Sequence, residues 1–167
     1  MKHTVEYKFI NLFYRDRVAK RSQVPLINHI NEGLTVLSAI DATDAAKRAF
    51  CIHPLLQADE DLLENYYLAS LVDPHVLMLT MEYRSVANEY LSDKVNTEQE
   101  IRLSPLKEVN QMLVADKVQN YRDFLKYHHT THERSDELFL YFNKWLKRLG
   151  IDNQTYLDLC KAIRKVE

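Results

Sequence analysis

Three short segments set an ionisable side chain inside an otherwise apolar run. In Pro25-Leu26-Ile27-Asn28-His29 the imidazole falls beside the inward stripe of a predicted helix. In Ala49-Phe50-Cys51-Ile52-His53-Pro54 it ends an apolar stretch, and in Met112-Leu113-Val114-Ala115-Asp116-Lys117 a carboxylate follows four uncharged residues. A buried carboxylate with no partner is costly and tends to take up a proton. Two imidazoles converging on it would relieve that cost most directly by sharing a divalent metal. Each residue alone has a plainer reading, as a satisfied core histidine or a paired helix aspartate, and spacing does not bring the three together in space.

The elements that must position these residues read as helices. The chain has 167 residues, two glycines and four prolines, which suits one hydrophobic core of helices joined by polar turns and not a many-stranded sheet. The expected order is a helix over Thr4 to Arg17 with Val5, Phe9, Leu12 and Phe13 on one stripe, then a second over Leu26 to Ile40. A third, capped by Asp41 or Thr43, runs to about Leu56 with Pro54 in its last turn. Asp59 to Val72 and Asp73-Pro74 to Leu91 form a fourth and a fifth. After the polar stretch Ser92 to Leu103, a long helix runs from Ser104-Pro105 to Tyr127. A turn over His128 to His132, a helix from a Ser135 cap to Leu149 with Gly150 as its C-cap, and a last helix over Asp152 to Val166 complete an all-α single domain over residues 1–167.

The charge balance of 22 basic and 24 acidic residues, net −2, speaks against a general DNA-binding protein. No apolar run approaches the roughly 20 residues that span a bilayer, so no membrane partner is expected. Met1 to Glu6 lack a signal-peptide segment, and Cys51 and Cys160 stand alone, so the expected setting is reducing and cytoplasmic. His128, His129 and His132 offer a competing zinc motif, yet they fall in a predicted turn without the glutamate of a metalloprotease helix.

With these residues in view, the chain resembles the HD-domain hydrolases of (p)ppGpp. Pro25-Leu26-Ile27-Asn28-His29 is similar to the family's proline-tyrosine-isoleucine-asparagine-histidine segment. Val114-Ala115-Asp116-Lys117, with Asn120 and Arg122-Asp123, is similar to its later leucine-alanine-aspartate-lysine segment. The order holds from about Phe9 to Trp145. The resemblance implies a compact HD-type fold and a divalent metal, by default manganese, held by His29, His53 and Asp116. The family's fourth ligand, an aspartate, is Pro54 here, and its catalytic glutamate-aspartate pair is Gln57 and Ala58.

Proline cannot ligate, and Gln57 orients a water without accepting its proton. Asp59, with Glu60 and Asp61 beside it, and Glu82 in the fifth helix are the candidates for a replacement acid. On the substrate side the resemblance implies a nucleotide held by Lys20, Arg21, Asn120 and Tyr141. Apart from the resemblance, Arg84 on a predicted helix with aromatic and amide neighbours reads as a further phosphate contact or as the partner of a nearby acid. Three functions follow as expectations. The first is a nucleotide- and metal-binding HD protein with weak or no hydrolysis. The others are an active metal-dependent nucleotide phosphohydrolase with a rearranged site and a non-catalytic interaction module.

Overall fold

A computed structural model describes residues 1–20, 22–92 and 97–165. Arg21, residues 93–96 of the expected polar stretch, and Val166 lie outside the described residues. The helices are α1 (Val5–Tyr14), α2 (Ile27–Ala39), α3 (Asp44–Leu56), α4 (Asp59–Asn65), α5 (Pro74–Ser92), α6 (Lys107–Asp123), α7 (Ser135–Arg148) and α8 (Asn153–Arg164). Among the described residues the only extended pairing is one antiparallel bridge between Val18 and Pro25, so the all-helical class read from the sequence is the one the chain adopts.

Helix α3 is the centre of the packing. It lies against α1, α2, α5 and α6, and its Ala46, Ala49 and Phe50 are fully buried. Small residues at 46 and 49 let neighbouring backbones approach, while Phe50 fills the space between α3 and α2. Ile30 and Leu37 of α2, and Val76, Leu79 and Tyr83 of α5, fall at helical spacing on one face and close over it. Thr43 starts α3 by accepting a hydrogen bond from the Ala46 N–H at 3.1 Å. Thr43→Ala is expected to cost about 1 kcal/mol of stability, measured by chemical denaturation, because it strips an N-cap from the helix that carries His53. A change below about 0.3 kcal/mol would show that tertiary packing alone holds that terminus.

Several boundaries differ from the expectation for identifiable reasons. Helix α1 ends at Tyr14 because Arg15 takes a left-handed φ of 42°, and its buried face is Glu6, Tyr7, Ile10 and Tyr14. Val5 and Leu12 are exposed. The stripe shifts because Glu6 is an inward residue, matched by the Arg48 guanidinium of α3 at 2.8 Å. The fourth expected helix stays α-helical only to Asn65 and tightens into a 3₁₀ turn over Tyr66–Ser70. Helix α6 begins at Lys107 and ends at Asp123 in a wide π turn over Phe124–His128. Ser135 is the first residue of α7, not its cap, and its hydroxyl accepts the Thr130 N–H. Gly150 follows α7 at φ 74°, the left-handed position expected of it. No helix among the described residues is long and apolar enough to cross a membrane.

Candidate metal centre

His29 sits in the first turn of α2, His53 in the last turn of α3, and Asp116 in the middle of α6, where the three helices meet. Among the described residues these three bring donor atoms within 4.8 Å of one another. His29 Nε2 is 3.3 Å from His53 Nε2 and 3.7 Å from Asp116 Oδ1. Donors at about 2.1 Å from one cation are separated by about 3.0–3.4 Å for right-angled to tetrahedral arrangements, so the two imidazole nitrogens stand at the spacing of a shared ion and the Asp116 oxygen lies a few tenths of an ångström beyond it.

The surrounding hydrogen bonds fix which ring nitrogen faces inward. Gln119 donates its amide N–H groups to Glu32 Oε2 at 3.1 Å and Asp123 Oδ2 at 2.8 Å. Its oxygen is thereby left facing His29 Nδ1 at 2.6 Å, which must carry the proton. His53 Nδ1 donates to the Phe50 carbonyl at 2.7 Å. That carbonyl is available because Pro54, four residues on, has no N–H to give it. The proline that stands at the position of the resemblance's fourth ligand thus helps orient the second histidine. With Nδ1 of each ring engaged, Nε2 of both faces one point beside a carboxylate oxygen.

Electrostatics favour the ligating form of His53 and of Asp116. His53 is 2 % exposed, and burial together with the His29 imidazole pushes its pKa down to about 3. Burial works against ionising Asp116, but the Lys117 ammonium 2.9 Å away outweighs it and holds the carboxyl below the ordinary range. Burial likewise opposes the Lys117 charge, and Asp116 outweighs it, so the ammonium is held charged. Asn120 donates to Asp116 Oδ1 at 2.8 Å, and Lys117 donates to the Tyr141 hydroxyl at 3.1 Å. Phe50 packs at 4.6 Å and Tyr83 at 4.9 Å from His53, ring centre to ring centre, walling the cluster on the core side. The Tyr83 hydroxyl is buried near the Asp116 carboxylate, and burial together with that charge raises its pKa.

The cluster opens into a cavity of about 610 Å³. Gln57, Asn120 and Tyr141 line it with the three donors, and Pro54 stands beside them. Lys20 is exposed, and its neighbours Ala19 and Ser22 are on the wall in its place. The other expected residues are not brought here. Asp59 and Arg84 are bonded to each other, and Glu82 accepts from Ser104 and pairs with Arg102. His128 and His132 reach the mouth of the same cavity with ring centres 6.4 Å apart. The sequence reading passed over Lys117, Gln119 and Tyr83. Its available signal was the density of polar groups on α6, where Asp116, Lys117 and Gln119 are all buried within one turn. No protein-family model, curated protein or solved structure matches this chain.

Gln119→Ala is expected to weaken divalent-metal binding about 10–100-fold by freeing the His29 ring, as loss of an outer hydrogen-bond partner does in metal sites generally. Competition against a chromogenic chelator reads this directly. An affinity within about twofold of wild type would mean that Gln119 does not hold the ring.

Proposed function

We propose that this chain is a divergent HD-type protein that holds a divalent cation through His29, His53 and Asp116 and binds a nucleotide in the adjoining cavity, with weak or no hydrolysis. The observation that carries the reading is the pair of Nε2 atoms and the Asp116 oxygen aimed at one point by hydrogen bonds behind them. A bound cation would supply Lewis-acid polarisation of a ligand oxygen. Pro54 and Gln57 on the cavity wall offer neither a fourth ligand nor a base, and loss of a base costs about 10²–10⁴-fold in rate. Asn120 and Tyr141 supply polar contacts, and Tyr14, Leu26 and Phe142 give the cavity apolar surface for a base or sugar.

One observation favours the active alternative. Asp123 is the one carboxylate on the described cavity wall besides Asp116. The test is nucleotide binding by calorimetry with and without manganese, together with phosphate or pyrophosphate release from a nucleotide panel. Metal-dependent binding with negligible release is the expected result. Release that disappears in Asp123→Asn would select the active alternative, and no binding by any nucleotide would remove both.

A further inference from the structure

The cavity beside the cluster does not end at Pro54 and Gln57. A second hollow of about 460 Å³ adjoins it, and Tyr14, Leu26, Pro54 and Gln57 line both. Phe13, Arg17, Ala58, Asp61 and Asn88 complete the wall of the second. Pro54, Gln57 and Ala58, where this chain departs from the acids of the resemblance, thus all border it. With no carboxylate at any of the three, Asp61 is the one acid on the described wall, and Phe13, Leu26, Pro54 and Ala58 give it apolar surface.

The charged groups of this hollow are unpaired. The Arg17 guanidinium lies over the Phe13 ring, 5.0 Å from the ring centre, and has no ion pair among the described residues. Arg17 is exposed, which leaves the outer face of the guanidinium open. The Asp61 carboxylate is half-buried and makes no hydrogen bond or ion pair among the described residues. Gln57 and Asn88, by contrast, bond to one another. Tyr14 feels the charges of Arg17 and Asp61 from this hollow and of Asp116 from the first, so its hydroxyl lies where the two join. That hydroxyl also makes no hydrogen bond among the described residues.

A planar guanidinium backed by an aromatic ring accepts a flat conjugated group on its open face. A lone carboxylate beside it accepts N–H groups and repels an anion. The group that fits is therefore flat, largely apolar and edged with N–H donors. We propose that the base of the bound nucleotide lies in this second hollow, stacked on Arg17 with its edge toward Asp61, while the sugar passes Tyr14 and the phosphate lies at the metal cluster. The proposal rests on the nucleotide reading above and adds where the base goes and which residues select it.

Calorimetric titration with manganese present tests this placement. The probes are the four common nucleoside 5′-monophosphates and ribose 5-phosphate, which keeps the sugar and phosphate and lacks the base. At least one nucleotide is expected to bind roughly tenfold or more tighter than ribose 5-phosphate, the scale of one stacked base. Arg17→Ser is expected to lose most of that margin while binding ribose 5-phosphate as the wild type does. Asp61→Asn is expected to change the order of preference among the four bases, because an amide donates where a carboxylate only accepts. Circular dichroism checks that each variant is folded, and if one is not, the other decides.

A margin that survives Arg17→Ser overturns the proposal, as does an order of bases left unchanged by Asp61→Asn. Ribose 5-phosphate binding as tightly as every nucleotide overturns it too. Failure of all five ligands to bind would instead bring down the nucleotide reading, and this proposal with it.

Discussion

Asp116→Ala is expected to lower stability by about 3–5 kcal/mol and to abolish divalent-metal binding. The stability loss follows from Lys117, which is 4 % exposed and has Asp116 as its one anionic partner among the described residues. Removing one member of a buried ion pair strands the other charge in a medium that solvates it poorly, at about that cost. Total stabilities are typically about 5–15 kcal/mol, so the variant would approach the margin of folding. The double variant Asp116→Ala/Lys117→Met is expected to recover most of the stability and none of the metal binding, which separates the two roles of the carboxylate. Denaturant titration checks the first part. A single variant as stable as wild type would show that Lys117 reaches water.

The same pair sets a direction for acid unfolding. The folded-state carboxyl of Asp116 is held down to about 2 against an ordinary 3.8, so it binds its proton less readily folded than unfolded. Its contribution is therefore fully present above about pH 4 and is lost as the pH falls through about 2. Stability that rises on acidification through this range would contradict that sign.

The second large effect comes from Gly33. A Cβ placed there would lie 2.2 and 2.3 Å from Cε1 and Cζ of Phe50. The Phe50 ring is fully buried, and it packs against His29 and His53 with ring centres 5.5 and 4.6 Å away. Neither a rotation of the ring nor a withdrawal of α2 from α3 leaves those contacts intact. Gly33→Ala is expected to cost about 3 kcal/mol, the upper end of ordinary overpacking, and to weaken metal binding by displacing α2 with its histidine. Gly150→Ala is the contrast: its added Cβ meets nothing within 4 Å, so only the left-handed φ is strained, at about 1 kcal/mol, with metal binding unchanged. Equal effects of the two substitutions on metal affinity would mean that the α2–α3 contact does not set the cluster.

Much of this architecture was legible in the residues. The stripes of α2, α3 and α5 follow helical spacing and point to a common core, and His29, His53 and Asp116 stand out because they interrupt apolar faces. Helix α1 was misread because its inward position 6 is a glutamate, and only the Arg48 guanidinium from α3, 42 residues away, makes that burial affordable. The turn at Arg15 carries no glycine or proline to announce it. The candidate acids Asp59 and Glu82 and the candidate phosphate contact Arg84 were read from type and neighbourhood. Each finds a nearer opposite charge or hydroxyl donor in the fold: Asp59 with Arg84, Glu82 with Arg102 and Ser104. Gln119 was invisible for a different reason. An amide has no chemistry of its own to attract attention, and its role depends on Glu32 and Asp123 claiming its N–H groups.

The most direct test of the metal assignment is nitrogen-15 NMR of the histidine rings during a titration with zinc, a diamagnetic divalent probe. Before zinc, the His29 and His53 rings are expected to carry their protons on Nδ1. At one equivalent, Nε2 of both rings is expected to move together to a metal-bound shift, and in Asp116→Ala/Lys117→Met neither is expected to move. Nε2 signals of His29 and His53 that stay unchanged through saturating zinc, or a response confined to His128 and His132, would contradict the account.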